Sequence, residues 1–587
     1  MKTGLIITLV AALVVGIGAA VVLTQESKQT PPAARIELEG EIEGVVDEQG
    51  HPIKTSALSN VGVGTYVFLK GIGEGEEIIA MAWEFTPPRG SAATLTKVDD
   101  GLPTHAYFMA DVVGQYRVKL TVTDSHGTTG EATLMVNAGT YVGVGNVAGA
   151  LARPPQCAIC HAEQAASWAE TDHASMFTRG VDGIVSSHYG ESCVACHTVG
   201  YDETADNGGF DDVAARVGWT FPETLQPGNW DAIPGELKQL GNIGCENCHG
   251  PGSEHSSRLE GIATSLSADN CGFCHNEPWR HIRNVQWANS GHADTTSRAF
   301  TYPIGEGHES CVRCHSGEAF VDMAEGKEEL RLGFQTITCA VCHDPHSAEH
   351  ETQLRVVDEV TLPDGTEVTG VGASALCMSC HNGRRGPGEV AEAEPHYPHY
   401  STAAEMITGT GGFDYGESVE DSIHVTMTRV GCVDCHMAAT PGWADRERTQ
   451  PLPGHDEVGA HTFNVTSSDG VENLAACTSC HLDLKNFNRT ARADYDGNGT
   501  VEGIQDEVQS LLDLVFDAIL ASGVEWLGHY PYWDNVTTEA QKAAIFNWSF
   551  VDHDGSLGIH NTARAVQLLQ RSYTGLTGED VPGADLR

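Results

Sequence analysis

Nine copies of the pattern Cys-x-x-Cys-His lie between residues 157 and 481, and together they use all eighteen cysteines of the chain. The pairs are Cys157 and Cys160, Cys193 and Cys196, Cys245 and Cys248, Cys271 and Cys274, Cys311 and Cys314, Cys339 and Cys342, Cys377 and Cys380, Cys432 and Cys435, and Cys477 and Cys480. The histidines that close them are His161, His197, His249, His275, His315, His343, His381, His436 and His481. In this pattern the two thiols add to the vinyl groups of a haem, and the adjacent imidazole reaches the iron from the same face. Structural zinc draws on paired Cys-x-x-Cys units and has no use for a histidine after every second cysteine. A redox dithiol occurs once, and a disulfide framework needs neither the two-residue gap nor the histidine. The spacing therefore predicts nine c-type haems, each with its proximal iron ligand.

The elements that hold these motifs must be slight, because residues 157–481 supply only about 36 residues per haem. That is too little for an ordinary apolar core around each porphyrin, so the haems themselves become the core. The stretch is rich in Gly, Pro and turns, and the irregular motif spacing rules out a regular repeat array. Beyond residue 500, Ile504, Val508, Leu511, Leu512, Val515, Phe516 and Ile519 mark one face of an amphipathic helix. A second helix is predicted over Glu539 to Phe550 and a third from His560 through Leu569.

Upstream, Met1-Lys2-Thr3 precedes an uncharged apolar run from Gly4 to Leu23, long enough to cross a bilayer. This is an export element, read as an uncleaved anchor because Gly18-Ala19-Ala20 is followed by further apolar residues; a cleaved signal is the alternative. Thioether attachment of haem takes place outside the cytoplasmic membrane, so the chain is expected in the periplasm or at the cell surface. After a tether, Tyr116 to Thr123 alternates apolar and polar residues as a half-buried strand does, and Asp124-Ser125-His126-Gly127 turns it toward Glu131 to Val136. This stretch, with Trp83 on an earlier strand, resembles the PKD branch of immunoglobulin-like domains, which implies a stalk or adhesion module. The expected fold is multidomain: residues 1–35 anchor and linker, 36–145 an all-β immunoglobulin-like sandwich, 150–490 a loop-rich, mostly α multihaem domain, and 491–587 a C-terminal helical cap.

Sixteen further histidines follow residue 157, enough for nine irons to carry a second imidazole. Trp168 with His173, Cys245 through His255, Trp287 with His292, Cys342-His343-Asp344-Pro345-His346, Cys432 through Met437, Gly459 through Phe463 and Asp554 through Asn561 resemble the multihaem cytochromes related to hydroxylamine oxidoreductase and the pentahaem nitrite reductases. The resemblance implies His173, His255, His292, His424, His461 and His560 as distal ligands. His188, His308, His346 and His399 are weaker candidates, near motifs or turns, while His281, His350, His396, His455, His529 and His553 are set aside. Two axial imidazoles leave an iron without an open position, suited to electron transfer. The nitrite reductases put lysine in place of one motif histidine, and here all nine motifs end in histidine. The expectation is therefore a conduit rather than a catalyst, with an oxidoreductase acting on a small nitrogen or sulfur compound at one open haem as the alternative.

Asp494, Asp496, Asn498 and Thr500 stand at the ligand positions of an EF-hand-like loop with Gly499 beside them, while Gln505 occupies the twelfth position in place of glutamate. Calcium and an Asx-rich capping turn are both compatible with this loop. Thirty-three basic residues against eighty acidic ones give a net charge of -47, which excludes nucleic acid as a partner. Such a surface solubilises, and it also steers toward a basic redox partner. The expected partners are redox proteins, a terminal electron acceptor, or copies of the chain itself as an oligomer or filament, with the membrane met through the N-terminus. Intact mass of natively matured protein should show nine covalently retained haems, and a chain that loses its red colour on acid–acetone extraction contradicts the thioether reading.

Overall fold

The computed structural model describes residues 31–75, 77–98, 101–145, 153, 156–255, 261–276, 281–302, 307–333, 335–362, 364–390, 398–426, 431–440 and 456–587. The apolar run Gly4 to Leu23, His396 and His455 lie outside them. Among the described residues no helix is long and apolar enough to cross a membrane.

Period-two alternation builds the N-terminal part. Its strands are β1 (Ala33–Glu39), β2 (Asn60–Gly62), β3 (Tyr66–Glu74), β4 (Ile78–Thr86), β5 (Thr96–Val98), β6 (His105–Met109), β7 (Gly114–Asp124) and β8 (Thr129–Gly139). They form two four-stranded sheets, in the orders β1-β3-β6-β5 and β2-β8-β7-β4. On β7, Tyr116, Val118, Leu120 and Val122 are buried and meet Val67, Leu69, Trp83, Phe108 and Val136 in one core shared by both sheets. The Tyr116 hydroxyl accepts from Val112 N at 2.9 Å and reaches Asp111 at the same distance. Asp124 Oδ1 accepts from His126 N and Thr128 N, which sets the turn between β7 and β8. β1 begins at Ala33, inside the stretch expected as tether, because Ala33 and Arg35 pair with Glu74 and Ile72 of β3.

The two sheets do not stand apart as a stalk. Asn60 Nδ2 donates to the carbonyls of His249 and Pro251, at 3.0 and 2.9 Å, and so grips the third Cys-x-x-Cys-His motif. Between them Gly250 takes a φ of +75°, and a Cβ there would lie 2.1 Å from the Asn60 carbonyl oxygen. Thr140 N donates to Ser253, and Gly40 N to Asp269 beside the fourth motif.

After the β part, short helical turns and loops carry the chain to residue 503. The C-terminus then folds as three longer helices, α1 (Ile504–Ala521), α2 (Glu539–Asp554) and α3 (Thr562–Thr577). Ile504, Val508, Leu511, Leu512, Val515 and Ile519 bury the predicted face of α1 against Phe550, Val551, Val566, Leu568 and Leu569. Thr538 and Gln541 form a capping box at the start of α2, and Gly555 closes it in the left-handed conformation. This helical unit locks to the loops before the eighth motif: Arg564 donates to Asp421 and to the carbonyl of Gly411, both at 2.9 Å, and Thr402 to Phe550 O at 2.6 Å. His560 sits in the tight link between α2 and α3, so the position of its ring is set by both helices.

Asn60→Ala removes two hydrogen bonds at the seam between the β part and the third motif and should cost about 1–3 kcal/mol. Faster amide hydrogen exchange at Thr140 to Gly143 in the variant is the expected readout, and unchanged exchange there contradicts the docking role.

Candidate functional site

A cysteine pair three apart, with histidine directly after it, shares one face when the backbone makes a single helical turn. The motifs adopt that turn: the backbone N–H of His161, His275, His343, His381 and His481 each donates to the carbonyl of the first cysteine of its own motif at 2.8–2.9 Å. Side chains inside or next to the motifs cap the turns, as where Asn247 accepts from Gly244 N and Asp434 from Gly431 N. Eight of the motif histidines, all except His161, line a continuous cavity of about 3650 Å³ running through the protein.

Histidines face one another in pairs, all but the first of them across that space. His161 lies opposite His255 with ring centroids 6.2 Å apart. His249 faces His346 at 5.9 Å, His275 faces His173 at 6.3 Å, His315 faces His399 at 6.2 Å and His343 faces His461 at 6.3 Å. His381 faces His292 at 6.0 Å, His436 faces His560 at 6.3 Å and His481 faces His424 at 6.1 Å. Two imidazoles bound trans to one metal at about 2.0–2.1 Å hold their ring centroids roughly 6 Å apart, so each pair spans the gap an axially ligated iron would fill. The angles between paired rings run from 9° to 90°, as rotation about a shared ligation axis allows.

At several of these histidines the protein holds Nδ1, which leaves Nε2 as the ligand atom. His249 Nδ1 donates to Ala263 O at 2.6 Å, His343 to Thr352 O at 2.7 Å, His436 to Phe463 O at 2.9 Å and His424 to Ile559 O at 2.8 Å. His560 Nδ1 lies 2.6 Å from the buried Asp554 carboxylate. Burial holds His197, His275, His292, His315 and His461 down at about 4, which keeps these rings neutral with a lone pair free for metal. Two differ: at His560 burial pulls the value down but the Asp554 carboxylate outweighs this and holds it above the ordinary one, and at His346 the hydrogen bond to Asp344 likewise raises it.

The second motif differs. Among the described residues no histidine ring faces His197 at the spacing of the other pairs; its ring stacks on Tyr189 at 5.5 Å, and its Nδ1 meets the Tyr189 hydroxyl at 3.1 Å. Of the weaker distal candidates, His346 and His399 are paired as above. His308 instead packs edge-on against Tyr302, and His188 lies exposed on a turn. His281, set aside on sequence grounds, lines the cavity with its ring 5.5 Å from that of His275.

In the acidic loop, the carboxylates of Asp494 and Asp496 come within 4.8 Å of that of Glu507, a buried residue of α1. Glu507 closes the loop by accepting from Tyr495 N and Glu502 N. Asn498 donates to Asp496 and Glu502, Thr500 is exposed, and Gln505 turns away toward Ser556 O.

Paired cysteines on helical turns, with opposed imidazoles across a continuous cavity, are the attachment geometry of a multihaem c-type cytochrome. The comparisons agree. Residues 156–215 match the family model described as cytochrome c554 and c-prime. The C-type polyheme cytochrome OmcB of Geobacter sulfurreducens is 26% identical over 265 residues, covering 36% of this chain and 32% of the relative. The multiheme cytochrome MtrA of Shewanella baltica is 24% identical over 240 residues, covering 37% of this chain and 60% of the relative. The matches thus span about a third of one relative's length and three fifths of the other's, and no solved structure matches. These findings place the chain among the multihaem c-type cytochromes.

Inside the third motif, Glu246 is fully enclosed and accepts from Val142 N, Gly143 N and Gly252 N. Burial outweighs those donors and pushes its carboxyl up to about 7. The folded chain therefore holds the extra proton between the ordinary carboxyl value and about 7, and this group's contribution to stability, up to about 3 kcal/mol, is lost as pH rises through that window. Denaturant midpoints measured below and above the window should differ in the native chain, and Glu246→Gln should flatten the difference.

Proposed function

We propose that the chain is an extracytoplasmic electron conduit that holds nine haems c, most of them between two histidines. The observation that carries this reading is the set of eight histidine pairs at 5.9–6.3 Å, because an iron closed on both faces exchanges electrons but binds no substrate. In that role His161, His197, His249, His275, His315, His343, His381, His436 and His481 are the proximal ligands, and His255, His346, His173, His399, His461, His292, His560 and His424 the distal ones. The bound haems supply the one-electron couple. The protein sets their spacing and fixes several of the imidazoles through an Nδ1 partner. The donor and acceptor are one-electron redox proteins or a terminal acceptor, and the acidic surface favours a basic partner face. The shared core of the two sheets and the Tyr116 hydroxyl bonded back to Val112 support an immunoglobulin-like reading of the β part.

A second reading has one observation in its favour. Among the described residues no histidine ring stands at the spacing of the other eight pairs from His197, His281 and His173 lying only within electrostatic range of it, so chemistry on a small nitrogen or sulfur compound would fall at the second haem. Electron paramagnetic resonance of the oxidised protein separates the two. The conduit predicts low-spin signals from the eight paired sites and no signal that responds to nitrite or hydroxylamine, whereas a high-spin signal that shifts with either compound favours the enzyme.

Calcium at Asp494, Asp496 and Glu507 would tie the acidic loop to α1. Addition of calcium at a hundred times its dissociation constant should then stabilise the chain by about 2.7 kcal/mol, and a chelator should lower the melting temperature of the helical unit. No response to either identifies a capping turn alone.

A further inference from the structure

Contacts in and beside the motifs show which of them are neighbours. Ala158 N of the first motif donates to Val144 O at 2.8 Å, and the adjoining Gly143 N donates to Glu246 of the third at 2.7 Å, which joins the first motif to the third. Asn270, next to Cys271, donates to Cys248 O at 3.0 Å, which joins the third to the fourth. Thr338, next to Cys339 of the sixth motif, donates to Leu266 O just ahead of the fourth. Val341 of the sixth motif and Cys380 of the seventh belong to one apolar cluster. Ser374 Oγ, just ahead of the seventh motif, accepts from Val433 N of the eighth at 3.5 Å, and Asn473 Nδ2, just ahead of the ninth, donates to Ala438 O after the eighth at 2.8 Å.

Two motifs stand off this line. Cys274 Sγ lies 4.0 Å from Cys196 O, so the second motif abuts the fourth, and Cys314 Sγ lies 3.9 Å from Ser379 O, so the fifth abuts the seventh. The two ends of the line are its most open points: Cys160 and Cys480 are the exposed motif cysteines, beside Ile159 and Leu482, which are 43% and 84% exposed.

Resting on the conduit reading, we infer that the motifs order their haems as a branched line: first, third, fourth, sixth, seventh, eighth and ninth form the trunk, the second haem branches from the fourth, and the fifth from the seventh. Each transfer moves one electron from a ferrous to a neighbouring ferric centre, with no bond made or broken. A one-electron donor at one exposed end and a one-electron acceptor at the other complete the balance. The branch haems hold charge alongside the path without lying on it.

The test is the set of iron positions in the natively matured full chain, from anomalous scattering in a crystal or from high-resolution electron cryo-microscopy. The expected nearest-neighbour irons are first with third, third with fourth, fourth with sixth, sixth with seventh, seventh with eighth, and eighth with ninth, with second beside fourth and fifth beside seventh. A second or fifth iron bridging two trunk irons, or a missing trunk link, overturns the order. If the irons keep this order but the reduced chain is not reoxidised by ferricyanide, the order stands and the conduit reading fails.

Discussion

A motif histidine faced across about 6 Å by a histidine from another stretch of chain is the contact around which the middle of this protein is arranged. Each such pair ties two haem-binding segments together without an apolar side chain between them, which suits a region whose helices rarely exceed two turns. Between pairs, backbone carbonyls take the Nδ1 protons and the loops follow where those carbonyls must be. His436 depends on Phe463 O, and His424 on Ile559 O. The loop-rich path is thus the outcome of ligand placement, and secondary structure is secondary in the literal sense.

Apolar packing is most extensive at the two ends, with a smaller core of Phe177, Phe210 and Leu237 around the second motif, and each end serves the middle. The helical unit buries its own apolar core, yet its link between α2 and α3 delivers His560 opposite His436, with Asp554 polarising the ring. The paired sheets bury Tyr116, Leu120 and Phe108, yet their edge reaches the third motif through Asn60 and the chain after β8 surrounds Glu246. Both ends therefore act as clamps on particular haem sites, and their stability is coupled to the geometry of those sites.

The attachment pattern was legible in the sequence because its chemistry admits few alternatives and uses every cysteine. The strand β7 and the buried face of α1 were legible because their periodicities are local. His173, His255, His292, His424, His461 and His560, implied by family resemblance, are each placed opposite a motif histidine, and so are His346 and His399. Which motif each one faces was out of reach, since the partner is decided by chain crossings that leave no mark in spacing: His173 precedes the second motif yet faces His275 of the fourth. The same limit hid the position of His281 in the cavity wall. The docking of the sheets through Asn60 also lacked a signal, because an asparagine on a short strand reads like any surface amide.

The seat of the β part on the third motif sets an order of manufacture. Cys245 and Cys248 flank a glutamate wrapped by the strand exit at Val142 and Gly143, and the carbonyls of His249 and Pro251 are clasped by Asn60. A maturation enzyme that joins porphyrin to these two thiols needs the segment extended and open. Attachment of haem at this position would therefore precede the final closing of the β part over it. The β part would come to rest only once a cofactor held about a hundred residues further along the chain is in place.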